Sequence, residues 1–268
     1  MAHPSVLAPL RKANLARVRA VFTDVDGTLT TGGLLRASTV RALEELERAG
    51  LPVVLVSGRP SGFAETWLRT LPVAGVIAEN GGLYLVRRPN GRLHKVYARP
   101  PGVRARERRR LVRAVSAALR AVPGSRLSTD SRFTEVDLAV DYNEEVKLGG
   151  GGAEALETFL RRRGIHAVRS SVHVNAWVGH FDKAWMVRRF LRREWGATLK
   201  AKDISWVYVG DSFNDAPLFA DFHLSIGVAN VLEVLPALAF PPRYVTRGAE
   251  GRGFEEVARA LLRQRGPG

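Results

Sequence analysis

Val21-Phe22-Thr23-Asp24-Val25-Asp26-Gly27-Thr28-Leu29-Thr30 is the stretch on which the fold reading turns. Its first residues read as an apolar strand, which delivers Asp24 and Asp26 to its C-terminal end. In extended chain, residues i and i+2 point to the same side. Gly27 lets the backbone turn away without a Cβ penalty. Two carboxylates placed so do not both stay comfortably ionised without a cation or a proton between them. The pattern invites Mg²⁺, and it offers one carboxylate as nucleophile and the other as acid/base.

The flanking sequence supplies the rest of an α/β pattern. Ser38 reads as the cap of a helix over 38–49, with Val40, Leu43 and Leu46 at helical spacing and Gly50 as its stop. Residues 51–56 form a continuous apolar run that ends in Ser57-Gly58-Arg59-Pro60. Such a run suits a parallel strand buried on both faces. A helix over 63–71 and a strand over 74–78 follow, which is the start of a doubly wound, Rossmann-like parallel sheet.

The pattern then changes. Residues 82–86 and 93–97 flank Pro89-Asn90-Gly91 as a hairpin. A basic amphipathic helix over 105–121 ends at Pro123-Gly124, residues 134–142 alternate as a half-buried strand, and a helix over 153–163 ends at Gly164. Residues 167–177 alternate again, and the run from Gly149 to Gly152 reads as a flexible loop. The expectation is an inserted α+β cap domain carrying an antiparallel sheet. The doubly wound pattern resumes with a helix over 183–195, a strand over 206–210 ending at Asp211, and elements at 216–220, 224–228 and 254–262. The division expected is core 1–85, cap 86–178 and core 179–268. The segment up to about Arg19 is open to two readings, a helix packed on the core or a basic arm.

Composition bounds the rest. The chain has 268 residues, 46% of them apolar, enough for one large domain or two smaller ones. No run of about 18 uncharged apolar residues is present, so no membrane span is expected. Positive charges follow the apolar residues of the first segment, which does not read as a signal peptide. The absence of cysteine excludes disulfides and thiolate chemistry, and it accords with a cytoplasmic location. The net charge is +15, carried by 35 arginines and six lysines. Solvated helix faces account for it, with steering of anionic substrates as a second reading. Nucleic-acid binding is disfavoured, because the arginine runs lack interleaved aromatic residues for base stacking. Oligomeric state is open.

Four motifs fall at or just beyond strand ends of the doubly wound part: Asp24-Val25-Asp26-Gly27-Thr28, Ser57-Gly58-Arg59, Lys183, and Gly210-Asp211-Ser212-Phe213-Asn214-Asp215. Open α/β sheets bind ligands there. The set, in this order, resembles the haloacid dehalogenase superfamily of phosphohydrolases over nearly the whole chain. The insert after the third strand is similar to the cap of its Cof-like subclass IIB. That group includes sucrose-phosphate, trehalose-phosphate, mannosyl-phosphoglycerate and archaeal phosphoglycolate phosphatases, and eukaryotic phosphomannomutases.

The resemblance implies a role for each residue. Asp24 is the nucleophile that forms an aspartyl-phosphate, and Asp26 protonates the leaving oxygen and later activates water. Mg²⁺ sits on Asp24, the main-chain carbonyl of Asp26, and Asp211. Ser57 holds a phosphoryl oxygen, with Gly58 and Arg59 beside it, and Lys183 neutralises developing charge. Asp215 orients Lys183 or a metal-bound water, and Asn214 reaches that water or the phosphate. Thr28 supports the loop. Asn80, in Glu79-Asn80-Gly81-Gly82, either turns the chain or faces the site. Arg132, His173 and Asn175 in the insert form either a solvated sheet face or a substrate-specificity patch. The expected activity is hydrolysis of a small phosphorylated metabolite, a sugar phosphate or a phosphoglycolate-like acid. A phosphosugar mutase is the alternative, and a non-catalytic protein binding anions or nucleic acid a more remote one.

Overall fold

The computed structural model describes residues 7–170 and 172–265. The first six residues of the segment left open above lie outside that range. Among the described residues, nine strands form one sheet, in the order Ala8–Pro9, Tyr244–Val245, Leu224–Gly227, Trp206–Gly210, Ala20–Thr23, Val53–Val56, Gly75–Ala78, Leu83–Arg87 and Leu93–Tyr97. The first seven run parallel, and the last two join through antiparallel pairings. The central strands are buried at every position, as their continuous apolar runs require.

Strand order reverses where Ala20–Thr23 lies beside Trp206–Gly210, with Val209 opposite Thr23. The chain winds outward from Ala20–Thr23 to one side, then returns and winds outward to the other. Asp24 and Asp211 each follow one of these two neighbouring strands, so they emerge side by side at the switch point. The sheet is anchored through an aromatic cluster. Phe22 packs edge-on or tilted against Phe190, Trp195 and Phe222, with ring centroids 6.2, 5.7 and 5.5 Å away. Phe190 also meets Tyr84 at 5.2 Å. This seats the helix Lys183–Trp195 on the sheet and fixes the place of its first residue.

The cap is a four-stranded antiparallel sheet in the order His166–Arg169, His173–Trp177, Leu138–Asp141 and Arg126–Leu127. The helices Pro101–Ala121 and Gly149–Arg161 cover it. Its core, including Leu111, Val115, Val140, Leu156 and Val174, is separate from the hydrophobic core of the large sheet.

Several expectations are corrected. The hairpin of Leu83–Arg87 and Leu93–Tyr97 pairs with Gly75–Ala78, so it extends the large sheet and does not belong to the cap. The boundary at 86 falls inside a strand, and the chain leaves the large sheet after Tyr97. The segment expected as one alternating strand over 167–177 holds parts of two antiparallel strands, His166–Arg169 and His173–Trp177. The glycine tract opens a helix, because the residues after it bury Ala153, Leu156 and Leu160. Ser38 lies inside the helix Ala37–Arg48 and does not cap it. The described part of the N-terminal segment, residues 7–19, holds a short strand and one 3-10 turn, Leu10–Lys12, fastened to the core. Ala8–Pro9 pairs at the sheet edge with Tyr244–Val245, and Gln264 clasps the main chain of Ala13 and Leu15.

Replacing Phe22 by Ala removes the ring around which the cluster packs. The expected loss of stability is about 3–5 kcal/mol, measured by urea denaturation. A loss under about 1 kcal/mol would contradict the packing described.

Candidate active site

The site begins with Lys183. Asp182 caps its helix, accepting from the Trp185 amide at 2.6 Å, and Lys183 is the first helical residue. A cation there is opposed by the helix dipole. It is held because its Nζ donates to Asp24 Oδ1 at 2.8 Å and to Asp215 Oδ1 at 2.9 Å. All three side chains are buried. Burial works against the ammonium, but the carboxylates of Asp215 and Asp24 overcome it and raise the Lys183 pKa.

Asp215 has little capacity to spare. Its Oδ1 also accepts from the Tyr208 hydroxyl, and its Oδ2 accepts from the amides of Asp211 and Ser212. It therefore positions Lys183 and the 211–215 turn. Asp211 is oriented from two sides, by the Thr28 hydroxyl at 2.8 Å and by Asn230 Nδ2 at 3.0 Å. Asn230 also donates to the Gly27 carbonyl. Gly27 takes φ +77°, and a Cβ on it would collide with the Asp211 carboxylate, so glycine is required.

Carboxylate oxygens of Asp24, Asp211 and Asp215 all lie within 4.8 Å of one another. Burial pushes the Asp24 carboxyl up to about 7; Lys183 pulls it down, while Asp215 and Asp26 push it further up. The Asp211 carboxyl is likewise raised, first by burial and then by Asp24 and Asp215. Three buried carboxylates around one ammonium leave uncompensated negative charge, and hard oxygen donors in that number fit a divalent cation. The donor set therefore fits a metal ion on Asp24 and Asp211.

Asp26 faces elsewhere. Both its carboxylate oxygens accept from Arg59, at 3.0–3.1 Å. The same guanidinium reaches two cap acids, Asp130 at 3.1 Å and Glu144 at 2.8 Å. Glu144 lies 2.8 Å from His173 Nε2. His173 and Arg59 hold the Glu144 carboxyl down at about 2 against the cost of burial. The Ser57 hydroxyl accepts from the Arg59 amide at 3.0 Å and keeps its own hydrogen free to donate. Gly58 is packed against the side-chain amides of Asn80 and Asn175, which leaves little room for a Cβ. Asn80 Nδ2 donates to Asp137 at 2.9 Å. Asn214 accepts from the Ser212 hydroxyl at 2.7 Å.

The structure thus brings together Asp24, Asp26, Ser57, Gly58, Arg59, Asn80, His173, Asn175, Lys183, Asp211, Asn214 and Asp215. It does not bring Arg132 to them. That side chain is exposed and lies over the Phe133 ring. Arg132 is in a one-turn helix before the cap strand, so the alternation that suggested a shared face does not apply to it. Sequence reasoning missed Asp130, Glu144 and Asn230. Asp130 is in the one-turn helix Thr129–Phe133 and Glu144 in a cap loop, and neither has a sequence period. Asn230 follows the strand Leu224–Gly227, and its place beyond a strand end was a usable signal.

The space enclosed by Asp24, Asp26, Arg59, His173 and Asn175 is about 20 Å³, room for about one water. The cap lies closed over this space. A cleft of about 730 Å³ between cap and core, lined by Arg161, His166, Trp177, Phe213 and Phe240, begins at Asn214 and Lys183.

Residues 21–95 match the model of the haloacid dehalogenase-like hydrolase family. A phosphoglycolate phosphatase of Pyrobaculum neutrophilum is 30% identical over 248 residues, covering 91% of this chain and 96% of that protein. One from Methanosarcina mazei is 27% identical, with 91% and 97% covered. Among solved structures, a Thermoplasma acidophilum protein superposes with a TM-score of 0.68 at 20% identity, over 91% of this chain and 98% of that one. The Synechocystis sucrose-phosphatase, in complex with sucrose and phosphate, gives 0.61 at 13%, over 91% and 98%. The chain belongs to the haloacid dehalogenase-like hydrolase family.

The raised Asp24 carboxyl makes a stability prediction. Without metal, its protonated form favours the fold, so stability is fullest below its unfolded value of 3.8 and is lost as pH rises through about 7. Asp24→Asn flattens that decline, read as thermal midpoint against pH in the presence of chelator. An equal decline in wild type and variant would contradict the assignment.

Proposed function

We propose that the chain is a Mg²⁺-dependent phosphatase of small phosphorylated metabolites, a sugar phosphate or a phosphoglycolate-like acid, working through an aspartyl-phosphate. The observation that carries the reading is Lys183 Nζ bridging Asp24 and Asp215, beside Asp211 and beneath a closed cap. The phosphatase names of the relatives support it, as does family membership. The reading includes a cytoplasmic location, with which the lack of cysteine accords.

Mg²⁺ would be held by Asp24 and Asp211, with the Asp26 main-chain carbonyl as a further ligand, and would offset the repulsion between an anionic nucleophile and an anionic phosphate. The chain's own groups do the remainder. An Asp24 oxygen attacks phosphorus as the bond to the substrate oxygen breaks. Asp26, turned from Arg59, gives its proton to that leaving oxygen. Water then attacks the phosphorus of the aspartyl-phosphate, Asp26 takes the proton, and inorganic phosphate leaves with Asp24 restored. Lys183 holds the attacking carboxylate and meets the charge that grows on the phosphoryl oxygens, and the Ser57 hydroxyl donates to one of them. The closed cap excludes water during the first transfer, which a reactive acyl phosphate needs.

Para-nitrophenyl phosphate is expected to be hydrolysed with Mg²⁺, and chelator is expected to abolish the reaction. Asp24→Asn should lower kcat by at least about a thousandfold, since it removes the nucleophile. Activity retained in that variant, or undiminished by chelator, would sink the mechanism.

A further inference from the structure

The Glu79-Asn80-Gly81-Gly82 turn is not used by the chemistry above, yet its geometry is costly. Glu79 and Asn80 take φ of +49° and +53°, in the left-handed region that side chains avoid. Such conformations persist where the surroundings over-determine them. The surroundings here come from three directions.

The first is the cap. The Glu79 carboxylate is wholly buried and accepts from the amides of Glu135, Val136 and Asp137, the segment that leads into the cap strand Leu138–Asp141. Asn80 Nδ2 donates to Asp137, itself wholly buried, while Val136 packs on Gly82. Arg108 of the long cap helix donates to the Asp137 carbonyl. The second is the helix that begins with Ser61, whose amide donates to Glu79 at 2.9 Å. The third is the Lys183 helix. Gly81 takes φ +93°, and a Cβ on it would collide with the main-chain oxygen of Asp182, the residue that caps that helix.

One turn therefore touches both the cap's entry strand and the first turn of the helix carrying Lys183. The carboxylate is the central element, because a buried acid with several amide donors fixes its neighbours and would be costly to leave unpaired. We propose that Glu79 is a positioning residue: through the 79–82 turn it couples docking of cap segment 135–137 to the placement of Lys183 Nζ between Asp24 and Asp215. Closing the cap then completes the charged site, and opening it loosens the ammonium that the transferring phosphoryl group needs. The inference rests on the phosphatase reading for its catalytic consequence, and on geometry alone for the coupling itself.

Hydrogen exchange by mass spectrometry, on the full-length chain, separates the two. In Glu79→Gln, peptides covering 134–138 and 182–187 should both exchange faster, together. The control Glu157→Gln removes a cap acid paired with Arg161 and Arg169. It should loosen the cap and leave 182–187 at the wild-type rate. On para-nitrophenyl phosphate, Glu79→Gln should lower kcat by about tenfold to a hundredfold, because small displacements of a charged group are expensive in the transition state. KM should shift by less than about threefold, as expected for an interaction made mainly in the transition state. If Glu79→Gln does not fold, Asp137→Asn must loosen both peptides. Loosening confined to 134–138 in either variant, or an unchanged kcat in a folded Glu79→Gln, overturns the proposal. An inactive wild type would overturn the phosphatase reading while the exchange result still decides the coupling.

Discussion

A single ammonium placed among buried carboxylates governs this molecule. Lys183 contacts Asp24 and Asp215 directly, and Asp211 stands close enough to share a ligand with them. The carboxylates repel one another in a medium that screens poorly, so they tolerate proximity only with cationic partners. The fold supplies one such partner in Lys183, and the remaining carboxylate oxygens form a donor set that fits a metal ion. The switch point in the sheet, the aromatic seat of the Lys183 helix and the fastening of Asp215 by Tyr208 and two amides all hold this arrangement in place.

The same electrostatics extends into the cap through a different cation. Arg59 is shared by Asp26 of the core and by Asp130 and Glu144 of the cap. The guanidinium's planar fork allows one residue to serve several carboxylates at once. With the cap closed, Asp26 is occupied by Arg59, and the enclosed space holds about one water. Arg59, His173 and Asn175 form the wall that separates Asp24 and Asp26 from solvent on the cap side. The contact that occupies Asp26 is thus the same one that fastens the cap acids to the core.

Much of this was legible in the residues. The continuous apolar runs ending in Asp24, Ser57 and Asp211 placed three motifs at strand ends, and the structure brings them together with Lys183. The cap was legible as an antiparallel insert from alternation in its sequence, although its strands Leu138–Asp141 and His173–Trp177 are buried at every position, not half-buried. Errors arose where local signals were silent or ambiguous. The 83–97 hairpin has the same local pattern whether it joins the cap or the large sheet, and only its pairing with Gly75–Ala78 decides. The glycine tract reads as loop by propensity, but tertiary burial of Ala153, Leu156 and Leu160 draws it into a helix.

By itself the sequence determined the parallel core, the order of the chemical groups and their emergence at strand ends, because burial periodicity and turn chemistry are local properties. Only the tertiary structure decided which charge meets which. The pairing of Arg59 with Asp130 and Glu144, the exposure of Arg132, and the burial of Glu79 against amides more than fifty residues away all depend on where a cap loop lands on the core. Loop residues carry no period, and a carboxylate's partner is set by distance in space, which spacing along the chain does not encode.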